Sequence, residues 1–427
     1  MGAGLAGAAA AASLTAAGYH VLVLEARERI GGRAYTKPFL DDPDGPHLEY
    51  GGAWITPWQT RIRSLVERHG LTLRPRIDVT ERLYVREDGP HRVPAAEADR
   101  PAYDRALARI SADAVLLKHG ITNDEKGRPL SGISYDAYLD RIGTPAAVRN
   151  QFDAWWTVSG NGDPGRVAAS EFLASCVYGE GPPEAMIDVW ADTVVPGMAV
   201  LAERMLDAAG ARVRLSVPVS RVSQTDGAVQ ITVTDDSVLT ADAVVVAIGI
   251  NQLSAMTFDP PLPAKKAHAV SAGHGGRAFK IWARVNGVAL GTLTTGTPDG
   301  LQLAFAERDA GDGAVMVVGF GVTDASTRLD DPEWRAGQIR KLMPNADVVA
   351  SDTHDWVDDP FARGTWVAAF AGQEDGLDPD VWRPEGRIVF ASSDIAREQA
   401  GWFEAAIISG EDAAADVRDL LAANKEH

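Results

Sequence analysis

Residues 2–7 read GAGLAG, which sets glycines at 2, 4 and 7 in the pattern G-x-G-x-x-G. Each has a physical use. Gly2 permits a tight turn, Gly4 lets backbone approach a pyrophosphate, and Gly7 lets a helix pack closely while its N-terminal amides face phosphate. Glu25 ends the segment HVLVLEA, where a carboxylate would hold a ribose hydroxyl. Two further glycine pairs, Gly31-Gly32 in ARERIGGRAYT and Gly51-Gly52 in EYGGAWITPWQ, suit backbone lying against a flat, extended ligand. Arg27 and Arg33, on either side of the first pair, offer planar forks to a pyrophosphate. The other residue of chemical interest is Lys280, inside the apolar run FKIWARV. A lysine there is costly unless solvated or paired, so it is either functional or an edge lysine whose head snorkels to water. The nine histidines form no H-x-x-H or H-x-x-x-H pair, Cys176 is the only cysteine, and no G-x-S-x-G occurs. Metal, disulfide and serine-hydrolase chemistry therefore have no support.

Elements must hold these residues in place. The Ala/Gly-rich opening reads as a helix over about 7–17, followed by a strand over His20–Ala26. No basic region precedes this run, which argues against a secretory signal, and no apolar window long enough to cross a bilayer follows. A helix over TRIRSLVERH ends at Gly70, residues 89–101 read as a linker, and a mostly helical stretch runs to about 195. Helix AVLAERMLDAAG leads into strands from RVRLSVPVSRV to AVVVAIG, with Asp226-Gly227 as a hairpin turn. Further strands are FKIWARV, LQLAFAER and AVMVVGFGV; Asp331-Pro332 opens a helix as cap and first residue; strand RIVFAS and a helix from about Gly401 to Ala423 close the chain. The alternation predicts an α/β nucleotide-binding domain interrupted by a second domain. Its fingerprint ordinarily follows a buried central strand, yet only Met1 precedes it. The expectation is that this first strand is missing from the chain and that a start about ten residues upstream would supply it.

Composition narrows the function class. With 41 basic and 59 acidic residues the net charge is −18, which argues against nucleic acid and anionic membrane as partners. A content of 45% hydrophobic and 23% charged residues is ordinary for a folded protein. One cysteine fits a reducing, cytoplasmic compartment.

From the fingerprint through EARERIGGR to GGAW, the residues resemble the FAD-dependent amine oxidase family, which includes monoamine, polyamine and bacterial nicotine-type oxidases. The resemblance continues through RLSVPVSRV, AVVVAIGINQLSAMTFDPPLP and the closing GRIVFASSDIAREQAGWFEAAIISGEDAA, and is weakest over about 75–190 and 285–350. It implies a Rossmann-like FAD-binding domain of residues 1–75, 196–270 and 384–427, interleaved with an α+β substrate-binding domain of 76–195 and 271–383. It places Gly2, Gly4, Gly7, Glu25, Arg27, Gly32, Arg33, Gly51, Gly52, Ala53 and Trp54 on FAD, with Val219 at the adenine and Ser393, Asp394 and Gly401 in the last flavin loop. Many members carry Gly-Glu where this chain has Ser392-Ser393 before Asp394, so the contact that replaces that glutamate is open.

The resemblance further implies that Lys280 holds a water at the flavin's reactive nitrogen. It sets Trp366 and Trp402 as two aromatics flanking a neutral amine, with Asn161 as a weaker candidate for the substrate pocket. Thr365 stands where some members have a flavin-linking cysteine, which implies non-covalent FAD. The implied reaction is hydride transfer from the α-carbon of an amine to FAD, hydrolysis of the imine to a carbonyl compound, and reoxidation by molecular oxygen to hydrogen peroxide. The alternatives are a dehydrogenase with a protein electron acceptor, another FAD-dependent desaturase, or an inactive flavin-fold binding protein. Two bulky tryptophans favour a cyclic or secondary amine. Oligomeric state stays open, a homodimer included.

Overall fold

The fold described here is a computed structural model that covers every residue except 87–88, 93–98, 183–184, 226, 297–299 and 424–427. Helix Leu5–Ala16 follows directly on the glycine turn and is buried nearly all round. Its run of alanines explains this: with no long side chain on any face, it packs closely against helix Phe403–Ala423 and helix Met198–Ala208. The next strand is Leu22–Leu24, shorter than its apolar segment, and it pairs in parallel with Arg212–Arg214. Strand Val244–Val246 pairs in parallel with Ile388–Phe390. Met1 and Gly2 bridge these two ladders: the Met1 amine donates to the Val245 carbonyl at 2.6 Å, and the Gly2 amide donates to the Leu24 carbonyl at 2.7 Å. The Ala247 amide in turn donates to the Met1 carbonyl at 2.8 Å.

A four-stranded sheet of Val238–Ala241, Val229–Val233, Val219–Gln224 and Thr257–Asp259 flanks this region. The antiparallel pair that the predicted turn would join is present, although Asp226 itself lies outside the described residues. The second large element is a seven-stranded sheet in the order Asp347–Thr353, Ala278–Asn286, Ala314–Val322, Leu301–Gly311, Thr292–Thr295, Glu81–Arg86, Gly89–Arg92. Residues 89–92 are thus an edge strand, which corrects the linker reading there. Pro90 misleads a sequence reading, but an edge strand tolerates proline because one side needs no ladder bond. Helices Arg100–Lys118, Tyr135–Arg141, Ala146–Ser159 and Ala169–Tyr178 share a separate apolar cluster centred on Tyr135, Phe152, Trp156 and Phe172. Helix Pro332–Leu342 begins as read: Asp331 accepts from the Glu333 amide at 2.9 Å, and Pro332 fills the first turn. No helix among the described residues is long and apolar enough to cross a membrane.

Candidate active site

The glycine turn opens one end of a cavity of about 630 Å³, within the range of cofactor and ligand pockets. Gly2 has φ +90°, a conformation that excludes nearly every other residue. A Cβ on Gly7 would lie 1.9 Å from the Gly2 carbonyl oxygen, so Gly7 does not line the cavity but lets the helix start close to the turn. Gly4 differs, since a Cβ there would meet nothing nearer than 3.8 Å. The room above it belongs to the cavity. Glu25, only 4% exposed, accepts from the Ala3 amide at 2.7 Å and the Arg27 amide at 2.9 Å, and still lines the wall with lone pairs to spare.

The two arginines are already engaged by protein carboxylates. Arg27 pairs with Asp359 at 2.6 Å. Arg33 pairs with Asp394 at 2.6 Å and donates to the Ser393 hydroxyl at 3.1 Å and to the Thr365 carbonyl at 2.6 Å. Asp394 is fully buried and stands behind the wall, whereas Ser393 lines it. Burial alone would raise the Asp394 pKa; Arg33, His274 and the Ile250 amide outweigh that and hold it below the usual carboxylate range. Gly32, Gly51, Gly52, Ala53, Trp54, Val219 and Gly401 all line the same cavity.

Lys280 reaches it from strand Ala278–Asn286. Its side chain is nearly buried, and its ammonium donates to the carbonyls of Glu49 and Gly51. It sits 5.3 Å from the ring centroids of both Trp54 and Phe320. Those contacts fix its direction. Burial pulls the ammonium well below the ordinary lysine value, against the pull of the Glu49 and Glu307 carboxylates. Trp54 is fixed in turn, stacked on Trp190 at 4.6 Å and donating to Glu307 at 3.0 Å.

Trp366 and Trp402 line the same space. Trp402 makes an edge contact with Tyr178 at 6.3 Å. Asn161, 0% exposed and at φ 42°, lies behind the wall, not on it. It accepts from the Thr365 hydroxyl at 2.7 Å and donates to the Trp366 carbonyl at 3.3 Å, so it holds the tryptophan segment in place. His274 accepts from the Gly276 amide at 3.1 Å, and the Gly276 carbonyl in turn accepts from the Thr365 amide at 3.1 Å, which ties that loop to the tryptophan segment.

Two kinds of lining residue escape the sequence reading. Gln252 lines the cavity on the segment that follows strand Val244–Val246, and its buried Nε2 has no partner. A donor in that state fits the polar edge of a bound dinucleotide. On helix Ala169–Tyr178 the residues Glu171, Ala174, Ser175 and Tyr178 face the cavity, while Phe172, Leu173 and Cys176 face the helical core. A polar stripe at helical spacing reads as a solvent face; here it faces an internal space. The glycine cradle, the orphaned Gln252 amide and the spare Glu25 lone pairs together suit FAD in this cavity.

Comparison with known proteins agrees. A family profile described as flavin containing amine oxidoreductase matches residues 5–418. The (S)-6-hydroxynicotine oxidase of Paenarthrobacter nicotinovorans is 29% identical over 423 residues, 96% of each chain. A pseudooxynicotine dehydrogenase from a Pseudomonas species is 27% identical over 438 residues, 99% of this chain and 86% of the relative. Wild-type putrescine oxidase bound to putrescine has the same fold, with a TM-score of 0.84, 26% identity and 98% of both chains covered. The chain belongs to the flavin-containing amine oxidoreductases and is an enzyme of that family.

Proposed function

We propose that the protein is an FAD-dependent amine oxidase that holds its cofactor non-covalently. The observation that carries this reading is the continuity of a single cavity from the glycine turn at Gly2 and Gly4 to Lys280, Trp366 and Trp402. Gly4, Glu25, Gly32, Arg33, Gly51, Gly52, Val219, Ser393 and Gly401 would hold the cofactor, with the Gln252 amide as a further donor. Bound there, FAD would take hydride from the α-carbon of an amine and pass the electrons to oxygen. Thr365, at the position where a linking cysteine would stand, offers no thiol, and its hydroxyl donates to Asn161; Cys176 is buried in the helical core.

The chain's own residues bind, orient and desolvate. Trp366 and Trp402 present apolar rings to the amine, and an apolar surround favours its neutral form, the one able to lose hydride. Lys280, fixed by two carbonyls and two rings, positions a water beside the reacting centre. The imine released hydrolyses to a carbonyl compound in water. The same reading assigns residues 1–75, 196–270 and 384–427 to cofactor binding and 76–195 and 271–383 to substrate binding.

The test is an anaerobic amine screen on the purified protein, following loss of flavin absorbance, and then admission of air. An oxidase is bleached by amine and recovers with release of hydrogen peroxide. Bleaching that recovers only with an artificial acceptor would make it a dehydrogenase, as one relative's name has it. Replacing both Trp366 and Trp402 with alanine should cut amine reduction at least about tenfold while leaving the bound flavin in place. Loss of flavin from that variant would reassign the tryptophans to the cofactor.

A further inference from the structure

Behind the wall that carries Lys280 lies a second polar space. Glu49, Arg74, Thr193, Glu307 and Arg308 help to line a small void of about 10 Å³, the room of one water. Ala53 borders both this void and the large cavity. Glu307 is half-buried on strand Leu301–Gly311, and its carboxylate accepts from the Trp54 indole at 3.0 Å. Trp54 lines the large cavity, and the Lys280 ammonium stands 5.3 Å from its ring centroid. Glu307 and Lys280 thus meet the same indole, one at its N–H and the other over its ring.

An indole is a neutral donor, and it offsets little of the cost of withdrawing a carboxylate from water. Burial accordingly pushes the Glu307 pKa up, with the Trp54 bond and the charges of Arg308, Lys280 and Arg74 opposing. The placement of this carboxylate makes sense through those cations. Lys280 feels two anions, Glu49 and Glu307. Arg308 feels the same two, and Arg76 feels Glu307 as well. Glu49 has a separate duty as a helix cap, bound to the Met198 amide and the Thr36 hydroxyl.

We propose that Glu307 is a positioning residue that keeps the Lys280 ammonium charged, acting across the Trp54 indole from behind the cavity wall. This deepens the amine-oxidase reading and rests on it. A fixed positive charge at the reacting centre stabilises negative charge that develops there, whereas burial alone favours a neutral lysine. With Glu307 neutralised, Lys280, Arg74 and Arg308 would face Glu49 alone. The lysine is the cation that yields, because a guanidinium does not deprotonate in this range.

The test titrates the holoenzyme labelled with [ε-13C]lysine, in which the Lys280 resonance is identified by its absence from Lys280→Met. Glu307→Gln keeps an oxygen for the Trp54 indole and removes the charge. The Lys280 inflection should then move down by about one pH unit or more, with flavin content and melting temperature near wild type. Glu307→Asp restores a carboxylate and should bring the inflection back toward the wild-type value. Reoxidation of the dithionite-reduced protein by oxygen should slow as pH rises through the same inflection, displaced equally in Glu307→Gln, because the charge is lost as the lysine deprotonates. An inflection unmoved in Glu307→Gln, or displaced as far in Glu307→Asp, overturns the inference, as does a reoxidation profile that fails to follow the resonance. Failure of every amine to bleach the flavin overturns the amine-oxidase reading instead; the titration needs no substrate and still decides the link between Glu307 and Lys280.

Discussion

Lys280 shows what one buried charge demands of its surroundings. Its head is met by two carbonyls, two aromatic rings and the field of two carboxylates, and it still titrates below its ordinary range because water is excluded. Replacing it with methionine keeps the volume and removes the donor. Stopped-flow measurement of Lys280→Met should find flavin reduction or reoxidation slowed by about a hundredfold. The wild-type pH profile should show an inflection below about 10.4, the usual lysine value, that is absent from the variant. Unchanged rates in both half-reactions would remove the role. Lys280 was legible because an ionised side chain in an apolar strand contradicts its setting, and Trp366 and Trp402 because they fall on motif positions. Glu171 and Gln252 were not legible. A polar residue on an amphipathic helix, or just after a strand, looks like one that meets solvent until tertiary packing closes a space in front of it.

Helix ends follow the same logic one level up. Asp331 caps its own helix and is visible in sequence. Helices Met198–Ala208, Thr60–Arg68 and Ile250–Leu253 have no side-chain cap of their own. Each takes one from far along the chain: Glu49 accepts from the Met198 amide, Glu404 from the Arg61 and Ile62 amides, and Asp394 from the Ile250 amide. These carboxylates satisfy orphan amides and complement the positive end of each helix. No local pattern could announce them, because donor and acceptor are more than a hundred residues apart. Glu404 follows Trp402 and Phe403, both in the cavity wall. Glu404→Ala should cost about 1–2 kcal/mol in denaturant unfolding and weaken amine affinity by releasing the start of that helix. A stability loss with unchanged affinity would show that the cap and the cavity are independent.

For the molecule as a whole, pH is where these buried groups add up. Burial lowers His274 from 6.5 to about 4, with Arg33 reinforcing and Asp394 opposing. Below pH 6.5 the unfolded chain takes up a proton that the folded one refuses, so stability falls as pH drops through this window, by up to about 3 kcal/mol from this residue. Glu171 and Glu49, both raised, act in the opposite direction, binding protons in the folded state first. The comparison that isolates the histidine is urea unfolding of wild type and His274→Asn at pH 7 and pH 5. The variant should lose less stability on acidification, and parallel losses would place the sensitivity elsewhere. The broad architecture was readable from alternating strands and helices, and the misread segment at 89–92 was one where proline and an edge position coincide. The cavity wall itself runs from Met1 to Ala406 and draws on separate stretches between them, with none from 55–157. Its two ends are joined by the packing of helix Leu5–Ala16 on helix Phe403–Ala423. During synthesis, then, the glycine turn leaves the ribosome about 400 residues ahead of the helix that closes it. Flavin capture is therefore expected late, once that helix has packed on the Ala-rich one.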